Sequence, residues 1–205
     1  MKLYIQEALT RAKTVTRLNV INGPRGDVIS IESAPLLWTK FGDEKDRFNR
    51  DDKYFTVIIN EDDAKKLKSH GWDVTTINNT GDPDDEPVYK IQVKLGKHFP
   101  SMNLLTVREG TDANGNKCMA VVKKKVLTED TVASLNRAIF ENVDIIIRPY
   151  KNPAYPKNPT GYYLNEGYFA IKEEFSFASK YEMGNPVAEE ELEDTLDQIE
   201  YGADI

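Results

Sequence analysis

The sequence predicts a mainly β protein, a small antiparallel barrel or sandwich carrying two short helices. Three observations point there. Short β-branched and aromatic runs recur at close spacing, turn residues separate them, and strands do not alternate with long helices as in βαβ folds. About seven or eight strands are expected on that pattern. With 205 residues the chain can bury one real core. We divide it into a basic N-terminal arm or extra strand (1–27), a main β domain (28–180) and a flexible, disordered acidic tail (181–205).

Up to Val20 the arm is basic: Lys2, Arg11, Lys13 and Arg17 outnumber the single acid Glu7. Residues 1–12 suit either a short strand or a helix, and 15–22 alternate weakly, as a strand does. Gly23-Pro-Arg-Gly-Asp27 is a turn. Val28–Lys40 reads as a strand interrupted near Pro35, since proline cannot donate to a ladder. Residues 42–53 mix acids and bases in a polar loop. Tyr54-Phe-Thr-Val-Ile-Ile59 is a buried strand.

A helix follows. Asn60 is placed to accept from the N–H of Asp63, acids occupy the first turn, and Gly71 closes the far end. His70 precedes that glycine and is expected to cap the last turn. Residues 72–77 suit a strand. The acids of the 78–87 loop (Asp82, Asp84, Asp85, Glu86) lack the spacing of a calcium loop and read as a solvated hairpin tip. Tyr89–Leu95 alternates cleanly, with Lys90, Gln92 and Lys94 on its open face.

Asp112-Ala-Asn-Gly-Asn116 is a hairpin signal between Leu104–Val107 and Met119–Val122. A second helix is expected from Thr128, with Val132, Leu135 and Ile139 as its buried stripe. Val143–Arg148 is a strand, 149–160 a Pro-rich loop, and 162–177 one or two final strands.

Charge is divided unevenly. The net charge is −7, yet residues 181–205 hold nine acids and no Lys or Arg, leaving 27 bases against 25 acids elsewhere. A weakly basic body with an acidic tail suits a tail that competes with nucleic acid or recruits partners, and equally a solubilising tail. No apolar run approaches the roughly 20 residues of a membrane span, and the N-terminus lacks a secretory signal pattern. A cytoplasmic protein is expected. The single Cys118 excludes an internal disulfide and reads as a core filler. Phosphate-cradling glycine loops and nucleophile elbows are absent, so neither catalysis, cofactor nor metal is expected.

Two segments, 30–59 and 143–170, set aromatics beside single cations. Exposed aromatics stack bases while Lys and Arg meet phosphates. Trp38, Phe41, Tyr150 and Tyr155 adjoin polar or Pro-rich loops and are the preferred stacking candidates; Phe55 and Trp72 are expected to be buried. For phosphate we select Arg47, Arg50, Lys53, Lys90, Lys94, Arg148 and Lys151, with Lys123, Lys124 and Lys125 as a second patch.

The succession Ile31-Glu-Ser-Ala-Pro-Leu-Leu-Trp-Thr-Lys-Phe-Gly42, Arg47-Phe-Asn, Tyr54-Phe-Thr-Val-Ile-Ile59 and Gly71-Trp-Asp-Val resembles the opening of a class of tailed-phage single-stranded DNA-binding proteins. Val143-Asp-Ile-Ile-Ile-Arg-Pro-Tyr150, Gly161-Tyr-Tyr-Leu and the acidic end are similar to that family's later half. The resemblance implies an OB-fold core that binds single-stranded DNA without catalysis during phage DNA replication, recombination or repair. It implies a tail that regulates the protein or recruits replication or recombination partners. It places Trp38, Phe41, Phe48, Tyr54, Trp72, Tyr150 and Tyr162 in matching segments. Departures are the 27-residue arm, Asn152 after Arg-Pro-Tyr, and a tail ending Ala203-Asp-Ile205. The alternatives are a β-rich phage structural or adaptor protein and, behind it, a metal-dependent nuclease.

Overall fold

A computed structural model describes residues 2–22, 26–44, 52–77, 87–151 and 160–173. In chain order these form α1 (Lys2–Thr14), β1 (Arg17–Ile21), β2 (Val28–Glu32), β3 (Leu36–Lys40), β4 (Tyr54–Ile59), α2 (Glu61–Ser69), β5 (Thr75–Ile77), β6 (Val88–Lys94), β7 (Ser101–Thr111) and β8 (Lys117–Leu127). A 3-10 helix (Val132–Arg137), β9 (Phe140–Tyr150) and β10 (Gly161–Lys172) complete the body.

The expected mainly β class is present, and one sheet holds all ten strands. Its main path runs β1-β2-β9-β10-β6-β4-β3, with β5 added to β6 and the β7–β8 hairpin added to β10. The sheet is open by hydrogen bonding among the described residues. It is nonetheless curled: Leu18 and Ile29 from one end share a single apolar cluster with Phe55 and Val57 from the other. Most neighbours are antiparallel, as the turn signals require. β10 departs from this, running parallel to β7 over seven residue pairs and to β6 over two, Tyr162↔Val93 and Tyr163↔Lys94.

Alternation sets the core. Ile91, Val93 and Leu95 face inward, as do Val143, Ile145 and Ile147. Phe41, Phe55 and Phe169 meet there with ring centres 5.7–6.3 Å apart, and burial of such side chains stabilises by roughly 1.5–3 kcal/mol each. Phe41 is also pinned by its backbone N–H, which donates to Asn136 Oδ1 at 2.8 Å.

β4 buries one face in the main core and part of the other beneath α1. Phe55, Val57 and Ile59 enter the main core, while Ile58 packs with Val88 against Ile5, Ala8 and Ala12 of α1. This second cluster decides between the two readings of residues 1–12. The helix has no acid in its first turn and is held by its buried stripe. β1 then pairs with β2, from Arg17↔Glu32 to Ile21↔Val28.

Pro35 separates β2 from β3, and the two strands lie apart in the sheet order. α2 is capped as the sequence requires. Asn60 Oδ1 accepts from the Asp63 N–H at 2.8 Å, and His70 Nδ1 lies 2.8 Å from the Lys66 carbonyl. Gly71 closes the helix at φ 75°. The second helix differs from expectation. It is a 3-10 helix from Val132, whose period of three buries Val132 and Leu135. It ends before Ala138 turns extended, so Ile139 leaves the stripe and is 89% exposed. No helix among the described residues is long and apolar enough to cross a membrane.

Candidate nucleic-acid interface

The outer face of the sheet has two parts. α1 covers the part around Ile58, Val88 and Leu37. Beyond it, five strands carry one residue each in direct cross-strand register: Lys40↔Tyr54, Tyr54↔Lys94, Tyr163↔Lys94 and Tyr163↔Arg148. Directly paired residues share a face, so Lys40, Tyr54, Lys94, Tyr163 and Arg148 form one row across β3, β4, β6, β10 and β9. Cation and aromatic alternate along it. At about 4.8 Å per strand the row spans about 19 Å.

Each member faces outward because its strand neighbours face the core: Phe55 beside Tyr54, Val93 beside Lys94, Ile147 beside Arg148, and Tyr162 and Leu164 around Tyr163. Arg148 is exposed and the other four are half-buried. Aromatics flank the row. Tyr150 lies edge-on to Tyr163 with ring centres 5.4 Å apart and is exposed. Trp38 sits on the bulge between Leu37 and Lys40, at a left-handed φ of 47°, and its exposed ring carries the Lys90 ammonium at 4.8 Å.

Lys94 Nζ donates to Asp52 Oδ2 at 2.6 Å, and Lys40 Nζ donates to the Asp52 backbone carbonyl at 3.1 Å. The two lysines beside Tyr54 therefore meet at one residue.

Among the candidates from sequence, Tyr54, Lys94 and Arg148 fall in the row, and Trp38, Tyr150 and Lys90 border it. Two require correction. Phe41 is fully buried and Tyr162 is 2% exposed, so neither presents a ring face to a base. The paired tyrosines at 162 and 163 alternate, and it is Tyr163 that points out.

Lys53 is mostly buried and ion-paired with Asp43 at 2.9 Å and Glu129 at 3.8 Å. Lys123, Lys124 and Lys125 are exposed on β8, away from the row and two strands out from the C-terminal half of β10. Lys124 lies over the Tyr168 ring at 5.5 Å. Lys151 is exposed just past β9. Arg47, Phe48, Arg50 and Tyr155 lie outside the described residues, as do the acids of the 78–86 loop and the tail.

Phe55 and Trp72 are buried as expected. Cys118 is exposed on β8, a correction to its reading as core, because both faces of that strand's outer half are open. Sequence reasoning missed Lys40 and Tyr163. The alternation around Tyr163 is visible in the sequence, but it does not tell which tyrosine of the pair faces the core.

The electrostatics of the row are those of surface groups, with Lys94 ion-paired to the Asp52 carboxylate. Among the described residues no group of three or more His, Cys, Asp or Glu is placed to hold a metal ion. The strongest displacement of a titrating group lies beneath the row, where burial, with the Asp73 charge adding to it, pushes the Tyr162 hydroxyl well above the ordinary tyrosine range. That hydroxyl has no hydrogen-bond partner among the described residues.

Comparison with known proteins gives three findings. The family model for a phage ssDNA-binding domain matches residues 22–202. The single-stranded DNA-binding protein of bacteriophage Enc34 in complex with ssDNA is similar at 10% identity, over 76% of this chain and 92% of that one, with a TM-score of 0.45. A C-terminal truncation of the Enc34 protein is similar at 10% identity, over 79% of this chain and 98% of that one, with a TM-score of 0.44. No curated protein matches the chain.

Proposed function

The chain belongs to the phage ssDNA-binding domain family, and from that premise we propose that it holds a single strand along the row Lys40–Tyr54–Lys94–Tyr163–Arg148. The observation that carries this reading is the cross-strand register, which alternates cations and aromatics over five adjacent strands. Aromatic faces accept any base, so binding is sequence-tolerant, and cations exchange condensed counterions for phosphates, so it weakens with salt. Trp38 with Lys90, and Tyr150, extend the surface at its two ends.

In this reading the protein is an OB-fold-like binder without catalytic activity. It coats single strands during phage DNA replication, recombination or repair in the host cytoplasm. The acidic segment 181–205 acts as a polyanion that lowers affinity and offers a handle to replication or recombination proteins. The decisive experiment is titration of a fluorescent oligo-dT with the purified chain at rising salt. Salt-sensitive binding that prefers single strands to duplex supports the proposal, and absence of binding at low salt overturns it.

A further inference from the structure

We infer that Lys40, Tyr54 and Lys94 form a subsite for one phosphodiester group, and that Asp52 occupies this subsite in the free protein. The inference rests on the single-strand reading above and adds to it a ligand group and an internal competitor.

Register places Lys40 and Lys94 on either side of Tyr54, in the two strands that flank β4. Their side chains turn to the same residue: Lys94 reaches the Asp52 carboxylate at 2.6 Å and Lys40 reaches the Asp52 carbonyl at 3.1 Å. Two ammonium groups converging on one oxyanion-bearing residue, next to an aromatic ring, is the arrangement a nucleotide requires, with the phosphate between the cations and the base on the ring.

Asp52 is held at this spot by the chain that follows it. The Lys53 carbonyl accepts from the Leu95 N–H at 3.0 Å, and the mostly buried Lys53 side chain is ion-paired with Asp43 at 2.9 Å. The carboxylate is thus set beside Lys94 before any ligand arrives. It is also replaceable. The Asp52 side chain is 55% exposed and that of Lys94 is 40% exposed, so water screens their pair, and such pairs are weak. A phosphate brought by a strand already stacked on Tyr54 and Tyr163 takes over Lys94, and Asp52 is released to solvent. Because the exchange trades one anion for another, the free protein hides part of its phosphate affinity.

The test uses the full chain and a fluorescent oligo-dT, titrated across a salt series with wild type, Asp52→Asn, Asp52→Ala, Lys94→Ala and the double variant Asp52→Asn/Lys94→Ala. Removing the carboxylate is expected to tighten binding about two- to five-fold at low salt, the range a screened surface pair converts to. It should also steepen the log–log salt slope by roughly 0.7, one further phosphate contact. The gain should vanish in the Lys94→Ala background. If wild type binds and both Asp52 variants bind equally or more weakly, Asp52 is a support for Lys94 and the subsite inference fails alone. If wild type does not bind, the single-strand reading fails with it.

Discussion

The Lys90 ammonium stands 4.8 Å from the centre of the Trp38 ring, and Trp38 reaches it from a backbone at φ 47°. A left-handed tryptophan is strained, at a cost on the order of 1–3 kcal/mol that the surrounding bulge sustains. The second tryptophan, Trp72, is 9% exposed and stacked on His70 at 4.7 Å. If a strand lies along the proposed row, ligand-induced quenching is expected from Trp38. Trp38→Phe is expected to abolish the fluorescence change on adding oligo-dT, while Trp72→Phe retains it. Titrations monitored by intrinsic fluorescence decide the point.

Tyr54 and Tyr163 are the two aromatics of the row, where the proposed stacking is to be tested. Replacing either by alanine is expected to cost about 1–3 kcal/mol of binding free energy at low salt, and replacement by phenylalanine far less. Arg148→Ala should act differently, lowering the salt slope by roughly 0.7 across oligonucleotides of any sequence. Affinity measured over a salt series separates the two effects.

Phe41 belongs to folding. Phe41→Ala empties a site between Phe55 and Phe169 and is expected to cost about 3–5 kcal/mol of stability. Single-strand affinity per folded molecule should stay at the wild-type value. Urea unfolding paired with binding of the folded fraction checks both statements.

The buried Tyr162 hydroxyl makes stability fall at alkaline pH. An unfolded tyrosine ionises near pH 10, whereas the folded one is held neutral by burial. The unfolded state then releases a proton that the folded state keeps, so stability is level below about pH 10 and declines above it. Tyr162→Phe is expected to be neutral or stabilising by up to about 1 kcal/mol near neutrality, since it deletes an unpaired polar group. It should also flatten the alkaline decline. Denaturant midpoints of both proteins at about pH 8 and about pH 11 test this, on either side of the ordinary tyrosine range.

Removal of residues 187–205 takes away most of the nine acids of the C-terminal segment. The proposed competition predicts tighter oligo-dT binding at low salt, with the difference fading as salt screens the polyanion. Equal affinity of the full and shortened chains at low salt would count against self-inhibition.

What the sequence displayed was local. The alternation of Tyr89–Leu95 shows which side of β6 is core, and Asn60 and Gly71 mark the ends of α2 because capping needs only neighbouring residues. The hairpin at Asp112–Asn116 is equally local, as Asp112 accepts from the Asn114 and Asn116 N–H groups at 2.8 Å each. What stayed hidden depends on distant partners. α1 is defined by Ile58 and Val88, far along the chain. Alternation places Tyr162 and Tyr163 on opposite faces without saying which face is core. Nor does any local pattern foretell that β10 runs parallel to β6. The row itself is a property of register: Tyr54, Lys94 and Arg148 were legible as suitable residues, while their alignment with Lys40 and Tyr163 exists only once five strands are in place.

That parallel junction has a mechanical side. Between β6 and β10 the ladder consists of two residue pairs, so the sheet is thinnest where its two halves meet. One of those pairs is Tyr163↔Lys94, in the middle of the proposed path. A strand laid along the row would bridge the seam like a splint, gripping Tyr54 and Lys40 on one half and Arg148 on the other. The slowing of amide exchange on binding should then be greatest at Val93, Lys94, Tyr162 and Tyr163, where the ladder joining the two halves is shortest.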